Sequence, residues 1–335
     1  MDGTVYPWSR IENDFDDSLV LGNGASIAFD GRFAYSSLKD SAQERKLISA
    51  DVQQVFDHLD TADFELVLRM LWHASQINQA LEIPDTRTTQ AYESVRDGLI
   101  EVVRTIHVPY DEVRDRIVTA ARFMSRFSTV ISLCYDVLVY WAILKGNEDA
   151  PNRFKDCFVN GEFQQDWRRF REPYGVNRRA TLVVYPHGNL ALAADLRGGE
   201  FKISATSGTR LLDTVFDHWR TGEKTPVFVS EGTSVQKRAA IRRSPYLSTV
   251  YEEILLDLGK SVVVIGWSMS ENDAHLLNQV CESGARRFAI AVDREAANLH
   301  EFQAMVHRKF EGRIGRNEFE LMFFDRSSEG CWVAP

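Results

Sequence analysis

Four segments of the chain place chemically capable residues directly after short apolar runs. Gly22-Asn23-Gly24-Ala25-Ser26 follows Ser18-Leu19-Val20-Leu21. Glycines there let the backbone approach a phosphate and aim N–H groups at it, with a helix dipole behind them. A plain tight strand-to-helix turn has the same pattern. Ser132-Leu133-Cys134-Tyr135-Asp136 closes the run Thr129-Val130-Ile131-Ser132. Asp136 can orient water or a sugar hydroxyl, or cap the helix expected over 137–144. In Val184-Tyr185-Pro186-His187-Gly188-Asn189 a histidine stands beside a glycine that leaves space, as a general base, a ribose contact or a structural side chain. Gly266-Trp267-Ser268-Met269-Ser270-Glu271-Asn272-Asp273 offers small polar residues for a ribose or phosphate, while Ser270 or Asn272 can equally cap the next helix.

The elements that must position these residues are short apolar strands alternating with helix-length segments. Strands are expected at 18–21, 129–132, 181–185, 226–230, 261–265, 288–292 and 321–324. Fully apolar strands alternating with helices indicate a parallel sheet covered on both faces, with ligands at its carboxyl edge. Between about 39 and 126 the pattern turns helical. Ile48, Val52, Val55, Phe56 and Leu59 share one helical face, and Phe64, Val67, Leu68 and Leu71 the next, with Thr61 as its expected N-cap. Two further stripes run from Tyr92 to Ile106, ended by Pro109, and from Val113 to Met124. The expected fold is therefore α/β, a doubly wound, Rossmann-like parallel sheet over 1–38 and 125–335 with an inserted α-helical module over 39–124. Arg168, Arg169, Arg171, Arg178 and Arg179 cluster around Trp167, a pattern that more often balances acidic neighbours than binds a polyanion.

Bulk properties narrow the function classes. The net charge of −9 argues against a general nucleic-acid binder, which needs a basic surface, but leaves room for a small anionic ligand. The polar, acidic start lacks a secretory pattern, and no apolar run approaches the roughly 18 residues of a membrane span. Cys134, Cys157, Cys281 and Cys331 form no CxxC pair, so reduced thiols and a cytoplasmic setting are expected.

The order of the motifs is more specific than any one of them. Together they resemble the sirtuin-like family, in particular the bacterial antiviral-defence NADases of the Thoeris-effector type. GNGAS is similar to that family's GAGAS-type NAD loop, SLCYD to its T-x-N-Y-D motif, and PHG to its His-Gly motif. Phe228-Val229-Ser230-Glu231-Gly232 matches the FGE strand end. Ser244-Pro245-Tyr246-Leu247 and the segment Gly266–Asp273 are similar to defence-type signatures. The resemblance covers about residues 15–35 and 125–325.

The resemblance implies NAD as substrate or ligand, cleaved to nicotinamide and ADP-ribose, with no metal. It implies that Gly22, Asn23, Gly24, Ala25 and Ser26 cradle the pyrophosphate, with Ser132 at a neighbouring strand end. Gly266, Ser268 and Asp273 would then lie near ribose or phosphates, and Asp293 near the adenosine ribose. His187 would be the general base, with Asp136 and Cys134 lining the nicotinamide pocket. It further implies a homo-oligomer or a HerA-type ATPase partner. Two departures stand out. The four-cysteine zinc ribbon of sirtuin deacetylases is missing between the His-Gly and FGE motifs, which disfavours deacylation. Cys134 replaces the family's asparagine, and a thiol is a weak, mostly neutral donor. A slow NADase, a nucleotide-binding subunit of a larger assembly, and a cysteine nucleophile all remain open at this stage.

Overall fold

The computed structural model describes residues 4–34, 38–175, 177–205, 208–229, 232–315 and 318–334. Thirteen strands run in chain order as β1 (Val5–Tyr6), β2 (Ser18–Leu21), β3 (Thr129–Ser132), β4 (Phe154–Lys155), β5 (Phe158–Val159), β6 (Glu162–Phe163) and β7 (Thr181–Val184). They continue as β8 (Gly188–Ala194), β9 (Glu200–Lys202), β10 (Thr225–Phe228), β11 (Ser261–Ile265), β12 (Arg287–Val292) and β13 (Glu320–Asp325).

Eight of them form one sheet in the order β1-β13-β12-β11-β2-β3-β7-β4, and every pairing in it is parallel. The four residues of each of β2, β3 and β7 and the five of β11 are all buried, so both faces of the sheet centre are covered. From β2 the chain builds outward through β3 and β7. It then crosses back to lay β11 on the other side of β2 and builds the opposite way through β12 and β13. Strand order therefore reverses between β2 and β11, where an open parallel sheet leaves a crevice at its carboxyl edge.

The expected strand at 226–230 is β10, and it lies elsewhere. It pairs antiparallel with β8 in a second sheet of order β10-β8-β9-β6-β5. An apolar run reports burial, not the direction of its partner, so the sequence alone does not separate the two placements. Glu200 of β9 ties this second sheet to a helix. Its carboxylate accepts hydrogen bonds from the Ser244 hydroxyl and, at 2.6 Å, from the Tyr246 amide at the start of the helix Pro245–Glu252.

Between residues 38 and 124 lie five helices: Leu38–Glu44, Ala50–His58, Phe64–Ala80, Arg87–Ile106 and Tyr110–Met124. Their buried faces carry the apolar stripes read from the sequence and join the same core cluster as the sheet. Asp63, not Thr61, caps Phe64–Ala80 by accepting from the Glu65 and Leu66 amides. Thr61 instead accepts from the Asp63 amide, which holds that cap in place. Pro109 precedes Tyr110–Met124 rather than ending the helix before it, which stops at Ile106. The Trp72 indole donates to the Gly222 carbonyl at 2.9 Å, joining this helical layer to the approach to β10. No helix among the described residues is long and apolar enough to cross a membrane.

The arginines near Trp167 are engaged locally. Arg168 pairs with Glu253 and Arg171 with Asp257, and their guanidinium groups flank the buried indole at 4.4 and 4.8 Å. They enclose a core tryptophan instead of presenting an anion-binding face.

Candidate functional site

The turns after β2 and β11 meet at the reversal point through backbone alone. Gly266 has φ +68°, and a Cβ there would lie 2.1 Å from the Ala25 nitrogen; one at Gly22 would lie 2.6 Å from the Gly266 oxygen. Only glycine permits both the left-handed backbone and this approach. The amides of Gly22, Gly24 and Ala25 donate to the carbonyls of Ile265, Gly266 and Gly22. Three N–H groups that a phosphate cradle would direct at its ligand are thus directed at backbone. Three residues further along the β11 turn, Met269 adopts φ 52° while fully buried. That conformation is uncommon for a residue with a side chain and marks stored strain.

A pocket of about 540 Å³ opens over the carboxyl ends of β2, β11, β12 and β13. Gly24, Gly266, Ser268, Asp293, Arg326 and Trp332 are among its walls. Asp293 and Arg326 form an ion pair at its rim. Trp332, from the C-terminal segment, donates its indole N–H to the Ala25 carbonyl at 2.9 Å and so fixes the floor to the β2 turn.

Cys134, Asp136 and His187 follow β3 and β7, outside that pocket's walls, and they are buried. Exposure is 8 % for Cys134, 6 % for Asp136 and 3 % for His187. Asp136 accepts from the Ser26 hydroxyl at 2.6 Å and from the Leu138 amide at 2.9 Å. It therefore both holds the start of the helix Leu138–Asp149, as expected of a cap, and reaches across to the β2 turn. Ser26 spends its hydroxyl on that carboxylate. Ser132 donates to the Cys134 carbonyl at 3.3 Å. Burial first, then the Asp136 charge, push the Cys134 thiol far up, against the opposing Ser26 hydrogen bond. A thiolate nucleophile is disfavoured there.

His187 occupies the turn joining β7 of the parallel sheet to β8 of the second sheet. Gly188 behind it has φ +72°, and a Cβ there would lie 2.2 Å from the Val227 oxygen. His187 Nε2 is 3.2 Å from Nε2 of His275. His275 Nδ1 is 3.2 Å from the Ser234 hydroxyl. Beside them, Lys237 donates to Asp273 at 2.9 Å and the Trp267 indole donates to the same carboxylate at 3.4 Å. Burial, followed by the Lys237 ammonium, holds the His187 imidazole well below its ordinary value, although Asp273 opposes this. Burial likewise brings His275 down to about 4. For Asp273, burial pulls upward, but His187 and Lys237 outweigh it and the carboxyl is lowered.

The expected residues thus separate into two groups. Gly24, Gly266, Ser268 and Asp293 line the open pocket. Ser26, Cys134 and Asp136 cluster in the closed half, and Asp273 stands with His187 through the Lys237 network. The Asn23 side chain donates to the Phe33 carbonyl at 3.3 Å and so supports its own turn. Phe228 stacks on Tyr135 at 5.4 Å, while Ser230 and Glu231 of the same motif lie outside the described residues. His275, Ser234 and Lys237 escaped the sequence reading. The one available signal was His275 following the small polar run that ends in Asp273. Among the described residues no group of three or more His, Cys, Asp or Glu is arranged to hold a metal ion.

A search of the curated proteins finds no match. The family model described as Domain of unknown function (DUF4917) matches residues 19–332, a span that takes in both halves of the site, and the chain belongs to that family.

Proposed function

We propose that the chain binds NAD with its adenosine half in the 540 Å³ pocket and hydrolyses the nicotinamide–ribose bond in the half that contains His187. The observation that carries this reading is the join between the two halves. The pocket at the strand-order reversal shares the β2 turn with the closed half: Gly24 lines the pocket, and Ser26, two residues on, donates to the buried Asp136 after β3, whose neighbour β7 leads into His187. Asp293 would accept hydrogen bonds from the adenosine ribose, and Ser268 would face the phosphates. Departure of nicotinamide leaves an oxocarbenium-like centre, which Asp136 stabilises by charge while His187 accepts a proton from the attacking water. The sirtuin-like motifs support the same assignment, and with it a role in anti-phage defence through NAD depletion.

A second reading has its own support. Cys134 cannot supply the polar contacts of an amide, as expected of a nucleotide-binding subunit that does not turn NAD over. Nicotinamide release from NAD by the parent, Cys134→Asn and His187→Ala proteins separates the two. Hydrolysis predicts parent activity abolished by His187→Ala, with Cys134→Asn faster by about 10²–10³-fold, the worth of one polar transition-state contact. Release by Cys134→Asn alone identifies a pocket disabled at one position. Silence from all three, with NAD bound in a calorimetric titration, selects the subunit.

A further inference from the structure

His187 presents a difficulty as a base. It is deeply buried and faces the paired Lys237 and Asp273, an environment that disfavours an imidazolium. A base that cannot keep a proton must hand it on as it receives it. The geometry provides a recipient: His275 Nε2 lies 3.2 Å from His187 Nε2, and the Ser234 hydroxyl lies 3.2 Å from His275 Nδ1. Ser234 is half-buried at the start of the helix Ser234–Ile241, whose Thr233–Gln236 capping box fixes that end. On its other side the Leu133 carbonyl, next to Cys134, is placed to accept from the ring once that side takes up a proton. Three side chains thus lead from the SLCYD turn to a partly solvated helix end, each able both to donate and to accept. The two facing Nε2 atoms stand at hydrogen-bond distance, and no third ligand joins them among the described residues.

We propose that His187, His275 and Ser234 form a proton wire that carries the proton of the attacking water out of the closed half of the site; this rests on the hydrolysis proposed above. Before the step, His187 donates from Nε2 to His275, and His275 donates from Nδ1 to Ser234. Water forms its bond to the ribose carbon as the bond to nicotinamide breaks, the electron pair leaving with the pyridine nitrogen. The water proton passes to His187 Nδ1, the Nε2 proton to His275, the Nδ1 proton of His275 to Ser234, and the Ser234 hydroxyl proton to solvent. One proton enters and one leaves, and neither imidazole ends charged. His187 then donates from Nδ1 to the Leu133 carbonyl. His275 is a positioning residue that acts through His187. The charged groups facing the pair are Lys237 and Asp273, with Arg238 acting on His275.

The test uses the whole chain and two readouts. His275→Gln keeps a carbonyl acceptor for the His187 Nε2–H but cannot pass a proton on. A purely structural His275 predicts unchanged turnover. The wire predicts an unchanged unfolding midpoint with nicotinamide release down about a hundredfold, and Ser234→Ala down about tenfold. In the parent, nitrogen-15 spectra of labelled histidine are expected to show both rings neutral from about pH 5 to 8, with scalar coupling between the two Nε2 atoms. Release by His275→Gln at the parental rate overturns the wire. So does a His187 that titrates as an isolated imidazole without that coupling. If the parent releases no nicotinamide the hydrolysis reading fails by itself, and the coupling alone then decides whether the two rings share a proton.

Discussion

The carboxyl edge of the parallel sheet carries two unlike surfaces. Over β2, β11, β12 and β13 it is an open pocket whose walls include glycine backbone, two serines and an exposed Asp293–Arg326 pair. Over β3 and β7 it is sealed. There Cys134, Asp136, His187 and His275 are all buried and each polar group has a protein partner. A nucleotide gains affinity from close backbone approach and a few rim contacts, which tolerate water. Proton transfer and charge stabilisation gain from exclusion of water and from donors already in position. One sheet edge carries both surfaces because the order of its strands reverses in the middle, so that different crossovers shape the two sides.

If the closed half is a preorganised network and the open half a set of local contacts, substitutions should separate stability from affinity. The largest expected effect is that of Lys237→Ala. It leaves Asp273 buried without its partner, and loss of one member of such a pair costs about 3–5 kcal/mol. Urea unfolding measures this, and NAD affinity at the open pocket should change less than threefold; a protein of unchanged stability breaks the contrast.

Next in size is the response to acid. His187 and His275 are held neutral in the folded chain, whereas unfolded histidine binds a proton near pH 6.5. The unfolded state therefore takes up more protons, and stability is lost as pH falls below about 6.5. Each histidine contributes about 2 kcal/mol of that loss between roughly pH 7 and 5. Unfolding titrations of the parent and His275→Gln should differ by that amount; parallel curves would mean that His275 is not held neutral. The smallest effect is that of Asp293→Ala, expected to weaken NAD binding about fivefold to tenfold by calorimetry while stability stays within about 0.5 kcal/mol.

The sequence was informative where a property is local. β2, β3, β7, β11, β12 and β13 all appear as apolar runs, and His187, Asp136 and the glycine turns stand out because they follow such runs. The second sheet left little trace. β5 and β6 are two residues long, and β10 looks the same whether its neighbour is parallel or antiparallel. The partners of His187 were hidden for a different reason. His275 is 88 residues away along the chain and arrives on a separate crossover, so no spacing rule connects them. Lys237 carries no signal at all, since a lysine in a short polar helix is ordinarily solvated.

The position of His187 in the turn between β7 and β8 has a kinetic consequence. The turn is short, and both of its ends are hydrogen-bonded: the Tyr185 amide donates to the Tyr246 hydroxyl of the helix Pro245–Glu252, and the Val229 amide, just past β10, donates to the His187 carbonyl. The histidine therefore has no private hinge. Admitting a ligand to it is expected to need a concerted opening of the turn and its neighbours that breaks these bonds together. Access then behaves as a gate with its own frequency, and the amides on either side of the gate should exchange with deuterium at one common rate. Under saturating ligand, that frequency sets the ceiling on how fast the closed half can work.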